Sequence, residues 1–553
     1  MTRAEYKSCA TAVWSGLALS VLIASAAAAP PEGIGRPFAD IAGDQPGCAL
    51  VTVQNGMRDF AGGFGRADVE KARAMTPDTL MEAASLSKQL TAFAILTLEA
   101  KGVLSTKDSV RRFVPELGSY TQPITIGDLI YHRSGLRDVL AIQLMEDKTP
   151  GADETWTYPR ILGMLERQKG LDGIPGQQEF YNNTGYGVLA LIAERASGQT
   201  LQNLLTDILF KPLGMSATTI AGADPARDAD LAASYAKTPA GFKPFPKTPP
   251  FMGASAVRTT ANDMALWVEN FWTGKAGGRA VMAKMALVPQ LPGGKRTNQA
   301  AGLVRTSYRG SLRLEHGGSV EGFRNRLMVH PREKFGLVMM CNRSDAALSA
   351  RVDAVTDLYI GDKVGPPESK SFKVEDLAAP ANLPLAKVKT GLYRDRADGE
   401  YIRLKRDGEA TLIEFRGDAL ALSEIAPNIF RSKDHSSFPG IGIYVAFRGD
   451  EMIMATGGDI DHYQSVEEWK PTDLAPWAGT YWSDETRGHL TLELRDGALV
   501  AKLGPALFPL TPGRKGELIF RRGALIVPVD APADHFTIEV GGARGIIYAR
   551  EAR

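Results

Sequence analysis

Met81-Glu-Ala-Ala-Ser-Leu-Ser-Lys-Gln-Leu90 places Ser85 three residues before Lys88, at the head of an apolar run. Residues three apart share one face of a helix, so the two side chains can meet. A serine hydroxyl is a weak nucleophile at neutral pH and needs a proton acceptor beside it. Lysine supplies one when burial keeps its amine neutral, and the free N–H groups of a helix start favour nearby negative charge. About one or two Ser-x-x-Lys spacings arise by accident in a chain this long, so context decides. The segment Leu90-Thr-Ala-Phe-Ala-Ile-Leu-Thr-Leu98 is apolar around most of its circumference, as in a helix inside a large protein. Gly102 stands where that helix can end. A lysine opening such a helix is either paired or chemically active.

A serine–lysine hydrolase needs two further elements: a group that passes the proton to the leaving group, and donors for the oxyanion. Tyr181-Asn-Asn183 precedes a helical pattern beginning near Gly185, so a phenol and a carboxamide can face a cleft from a loop. A neighbouring cation lowers the cost of phenolate. The competing reading is a half-buried tyrosine followed by a capping asparagine. His316-Gly-Gly-Ser319 follows the strand-like Ser311-Leu-Arg-Leu-Glu315, and its glycines would let a substrate backbone approach the strand edge. There His316 is either a hydrogen-bonding group for the transition state or a polar turn residue. The other histidines, His132, His330, His435, His462, His489 and His535, show no metal-ligand spacing. No metal or cofactor is expected.

Together, Ser85-Leu-Ser-Lys88, Tyr181-Asn-Asn183 and His316-Gly-Gly318 resemble, in order and separation, the three motifs of the penicillin-recognising serine hydrolases. That group includes class C β-lactamases, D,D-peptidases, esterases and D-aminopeptidases. Ile124 to Leu136, with His132 and Ser134-Gly-Leu136, and Gly253 to Asp263 also look like family segments. The resemblance implies an α+β fold, an antiparallel sheet flanked by helices plus a helical subdomain, and an acyl-enzyme on Ser85. It implies that Lys88 and Tyr181 share base and acid duty, and that Asn183 binds the substrate amide or orients Lys88. The oxyanion would lie on the N–H groups of Ser85 and Ser319, close to Gly318, with His316 where many relatives carry lysine. The implied substrate is a small peptide, amide or ester, with D-amino-acid peptides favoured. The alternatives are a promiscuous carboxylesterase or D,D-carboxypeptidase with weak β-lactamase activity, and a non-catalytic receptor for cell-wall fragments or β-lactams.

Residues 1–29 carry Arg3 and Lys7, then an apolar stretch, then Ser25-Ala-Ala-Ala-Ala29. This order reads as a secretory signal, with an uncleaved membrane anchor as the alternative, so a periplasmic or secreted protein is expected. Removal of Cys9 would leave Cys48 and Cys341, which can pair if their strands are neighbours. A formal net charge of +1 predicts no nucleic-acid partner, and the oligomeric state stays open. Residues 30–365 read as the hydrolase domain. From 366 onward the chain reads as short strands and repeats itself: Gly391-Leu-Tyr393 returns as Gly479-Thr-Tyr481, Arg406-Asp-Gly408 as Arg495-Asp-Gly497, and Phe430-Arg431 as Phe520-Arg521. Two copies of one β-barrel domain are expected, at 366–470 and 471–553. The arrangement is similar to bacterial D-aminopeptidases. One departure is the short turn Lys502 to Phe508, where those enzymes carry a long loop into the active site.

Overall fold

The computed structural model describes residues 30–551, apart from 119–122, 148–155, 295–296, 367–386, 396–399, 416–417, 433–442, 457–458, 505, 521–522 and 528–533. The expected signal segment and most of the segment following Gly365 lie outside the described residues, as does Arg521 of the repeat.

Side chains of a strand alternate between faces, and that alternation organises the first domain around the strand Cys48–Gln54. Ala49, Val51 and Val53 enter one apolar core, and Cys48 and Leu50 enter a second core on the other face. The partner strand Phe335–Cys341 divides likewise, Val338 and Met340 against Phe335, Leu337, Met339 and Cys341. Burial on both faces leaves no polar alternation, which explains why this segment reads as an unbroken apolar run. The two strands lie within a six-stranded antiparallel sheet, in the order Val304–Tyr308, Ser311–Val320, Phe323–His330, Phe335–Cys341, Cys48–Gln54, Met57–Phe64. Helix Ala261–Thr273 covers one face and helix Leu348–Ile360 the other. Helices Ser87–Ala100 and Asn183–Ser197 pack together and join the sheet to shorter helices, among them Ile126–Ile130, Val139–Gln143 and Tyr158–Glu166.

Cys48 and Cys341 are register partners in the sheet and form a disulfide across 293 residues of chain. Closing so long a loop removes conformations chiefly from the unfolded chain. Replacing both cysteines by serine is expected to cost about 2–4 kcal/mol, read as a lower melting temperature that no longer responds to reductant.

The repeat is visible atom by atom. Tyr393 and Tyr481 are both buried, and their hydroxyls donate to the carbonyls four residues earlier, Lys389 and Trp477, each at 2.9 Å. The first copy, from Gly391–Asp395 to Asp459–Val466, is a closed eight-stranded barrel. The second differs from the expected barrel: among the described residues its nine strands form a sheet left open between Ala506–Pro509 and Thr511–Pro512. Both edge strands contain a proline, which has no N–H to offer across the seam. The apolar core of this last sheet is continuous with that of the helical part of the first domain, whereas the barrel has its own. Among the described residues no helix is long and apolar enough to cross a membrane.

Candidate active site

Ser85 sits in a single 3-10 turn, Ala84–Leu86, that leads directly into the buried helix Ser87–Ala100. Ala84 adopts φ 50°, a left-handed conformation that costs a non-glycine residue about 1–3 kcal/mol and that clusters at functional sites. Two contacts hold the strained turn against the sheet. A Cβ on Gly318 would come within 2.4 Å of the Ala83 carbonyl oxygen, so glycine allows the strand to close on the turn. Asn325, buried on the next strand, donates from Nδ2 to the Glu82 carbonyl at 2.8 Å. His316, Gly318 and Ser319 lie inside the strand Ser311–Val320 rather than after it. Its outer neighbour pairs no further than Glu315, so among the described residues positions 316–320 form an edge beside the Ser85 turn.

Lys88 is fully buried. Its Nζ lies within hydrogen-bond distance of Ser85 Oγ at 3.2 Å, Asn183 Oδ1 at 2.8 Å and the Ala254 carbonyl at 3.2 Å. An ammonium can donate to all three, whereas a neutral amine has two protons and one lone pair. Two of the neighbours are carbonyl oxygens with no proton to give. The lone pair of a neutral Lys88 therefore belongs to the one neighbour that has a proton, the Ser85 hydroxyl. Burial pushes the lysine down to about 7, against the opposing charge of Asp138. Near neutral pH a large fraction of the amine is free to accept a proton.

Tyr181 approaches from the far side, and its hydroxyl donates to Ser85 Oγ at 2.9 Å. Although Tyr181 is 45% exposed, loss of water around its hydroxyl beside Ser85 raises it to about 12, with the Ser85 hydrogen bond opposing. The desolvation cost thus exceeds any easing by the lysine, and the phenol is held as a proton donor. Asn183 is the first residue of helix Asn183–Ser197, two positions earlier than the sequence pattern suggests, because Asn182 is the cap: its Oδ1 accepts from the Gly185 N–H at 2.7 Å.

His316 is buried, and its Nδ1 faces the Gly317 carbonyl at 2.6 Å. A carbonyl only accepts, so the proton is on Nδ1 and Nε2 presents a lone pair. Burial, then the charge of Lys88, pushes this imidazole down to about 4. It is neutral at pH 7.

Three contributors escaped the sequence reading of the site. The Ala254 carbonyl faces Lys88, within a segment noticed only as a supporting match. His132 packs against the Tyr181 ring, tilted by 32° with centroids 4.6 Å apart, and accepts the Asn182 N–H on Nδ1 at 3.0 Å. Asp138 accepts from both the backbone and the side-chain nitrogen of Asn183 at 2.9 Å. His132 lies inside the supporting segment Ile124 to Leu136 and Asp138 just beyond it, but the resemblance there gave neither a part in the site.

Residues 33–361 match the protein-family model described as Beta-lactamase. A D-aminopeptidase of Cereibacter sphaeroides is 23% identical over 463 residues, covering 82% of this chain and 83% of that protein. Penicillin-binding protein 4* of Bacillus subtilis is 36% identical over 159 residues, covering 28% of this chain and 34% of that protein. Among solved structures, the octameric penicillin-binding protein homologue from Pyrococcus abyssi superposes with a TM-score of 0.54 at 21% identity, covering 78% of this chain and 100% of that one.

Proposed function

The chain belongs to the beta-lactamase family and is a serine hydrolase, and from that premise we propose that it releases N-terminal D-amino acids from small peptides through an acyl-enzyme on Ser85. The observation that carries this reading is the convergence of Lys88 Nζ and Tyr181 Oη on one serine oxygen, at 3.2 and 2.9 Å.

The Lys88 lone pair takes the Ser85 proton while Oγ attacks the scissile carbonyl carbon. The resulting oxyanion lies against the N–H groups of Ser85 and Ser319, beside Gly318. Collapse breaks the C–N bond. The leaving nitrogen takes the Tyr181 proton, and the Lys88 ammonium restores that proton to the phenol. Water then attacks the ester, giving one proton to the restored base and leaving the free acid and the Ser85 hydroxyl. A phenol held near 12 gives its proton only to a strongly basic departing nitrogen, which suits amide cleavage.

His316 supports an aminopeptidase over a carboxypeptidase. A neutral imidazole with its Nδ1 proton committed to Gly317 supplies no fixed cation for a substrate carboxylate, and its buried Nε2, without a hydrogen-bond partner among the described residues, is left as an acceptor for an N–H. Likeness to D-aminopeptidases over 82% of the chain points the same way. We further propose export, supported by the Cys48–Cys341 disulfide, because such bonds persist in oxidising compartments.

The test is a panel of p-nitroanilides of D- and L-alanine, p-nitrophenyl acetate and a chromogenic cephalosporin. D-alanine p-nitroanilide is expected to turn over fastest among the amides, with the cephalosporin slowest. Turnover confined to the acetate would make the protein an esterase. Stable acylation by a fluorescent penicillin with no turnover on any substrate would make it a receptor.

A further inference from the structure

Asp138 touches no reacting atom, yet it decides the geometry of the atoms that do. It caps the short helix Val139–Gln143, with Oδ1 accepting from the Leu140 N–H at 2.9 Å. Its other oxygen, Oδ2, accepts from the Asn183 backbone N–H and from Asn183 Nδ2, both at 2.9 Å. A carboxylate only accepts, so the Asn183 amide is fixed with its nitrogen toward Asp138 and its oxygen toward Lys88, 2.8 Å from Nζ. Were the amide reversed, its N–H₂ would donate to the lysine lone pair and occupy the electrons that Ser85 needs.

The groups facing Lys88 are the rings of Tyr181 and Tyr186, at 4.8 and 5.6 Å from Nζ, the imidazoles of His132 and His316, which both feel the lysine charge, and Asp138. Burial keeps the two phenols protonated and the two imidazoles neutral. Asp138 is the group among them that carries negative charge toward the lysine.

The last β-sheet grips this aspartate. The Asp138 N–H donates to the Gly542 carbonyl at 2.5 Å, in the turn between strands His535–Val540 and Ala543–Arg550. Gly542 has φ 85°, and a Cβ there would stand 3.1 Å from the Asp138 Cβ. The neighbouring Arg137 is paired with Glu485 at 2.5 Å, their side chains 3% and 2% exposed. Glu485 also accepts the Lys169 N–H at 2.8 Å, and Asp172 accepts the Arg544 N–H at 2.7 Å. The expected departure at residues 502–508 is therefore no bar to contact, because the sheet reaches the catalytic domain through other segments.

We propose that Asp138 is a positioning residue for the serine–lysine pair, orienting Asn183 and placing one negative charge toward Lys88, and that the last β-sheet holds it in place through the Gly542 turn. The proposal rests on the Ser85 reading above and assigns the last domain a part in the acylation step.

The test uses the full chain, with p-nitrophenyl acetate and D-alanine p-nitroanilide as probes. Asp138→Asn is expected to lower kcat about 10- to 100-fold with little change in KM. The acid limb of kcat/KM should move down by about one pH unit, since removing a nearby negative charge favours the neutral amine. A merely structural aspartate would change the melting temperature and leave that limb in place, so an unmoved limb overturns the proposal. Gly542→Ala should lower kcat several-fold, whereas Gly541→Ala, where a Cβ meets nothing within 4 Å, should not. If Asp138→Asn fails to melt cooperatively, the glycine pair decides, and wild-type kcat in Gly542→Ala overturns the assignment. Activity retained in Ser85→Ala would instead overturn the underlying serine reading. Loss of activity there, with the Asp138→Asn limb unmoved, overturns this inference alone.

Discussion

Ser85→Ala is expected to reduce kcat/KM by at least about 10⁴-fold and to abolish covalent labelling by a fluorescent penicillin. Removing the nucleophile of an assembled catalytic group costs nearly as much as removing the whole group. What survives is the small rate due to substrate binding and oxyanion donors. The substitution deletes one oxygen, the point where Lys88 Nζ and Tyr181 Oη meet at 3.2 and 2.9 Å. It should leave the fold intact, because Ser85 is only partly buried and lies at the start of the helix rather than in its core. Ser87 is the internal control. It stands beside Lys88 in the chain, yet it is 1% exposed and its Oγ accepts the Val257 N–H at 3.1 Å. Ser87→Ala should therefore lower stability and spare catalysis. Label retained in Ser85→Ala, or lost in Ser87→Ala, would refute the assignment of the nucleophile.

That contrast shows how far the chain could be read. Helical spacing selects Ser85 over Ser87, because three residues bring side chains onto one face and one residue does not. Tyr181, Asn183 and His316 were legible as motifs, and Lys88 was legible as a buried cation because an apolar run follows it. Asp138 was not. Its partners Asn183 and Gly542 are distant in sequence, and a lone aspartate before a short helix looks like any cap. Gly318 could be read as a glycine at a strand edge, but not as the point where a strand meets the Ala83 carbonyl.

The fold divides in the same way. The Asn55-Gly56 pair, a residue pair that tolerates positive φ and here has φ 54° and 79°, is a local signal for the turn that joins Cys48–Gln54 to Met57–Phe64. The placement of Cys48–Gln54 between the sheet's second strand along the chain, Met57–Phe64, and its last, Phe335–Cys341, is a long-range choice made by packing. Closure of the first barrel and opening of the second follow from which edges meet.

Lys88→Met carries the second large effect: a fall in kcat of about 10³-fold, the usual size of a lost general base, together with loss of the acid limb. In the proposed mechanism the neutral amine is the active form. Activity should therefore drop about tenfold per pH unit below the lysine's folded value, set by burial at about 7. Without a titrating amine the methionine variant has no such dependence from this group. Stability supplies an independent check on the same residue. The unfolded lysine keeps its proton up to 10.5, whereas the folded one releases it at about 7. Between those values the unfolded state binds more protons, so stability gained from this group rises with pH, and its cost is greatest at and below pH 7. Methionine removes that cost but leaves Asn183 Oδ1 and the Ala254 carbonyl without their donor, at about 1–3 kcal/mol each. The variant should be close to wild type in stability at pH 7 and relatively less stable at pH 10. A lysine kept for structure alone would give the reverse: a destabilised protein at neutral pH with its activity profile intact. Melting curves at the two pH values, set beside the pH–rate profile, separate these outcomes.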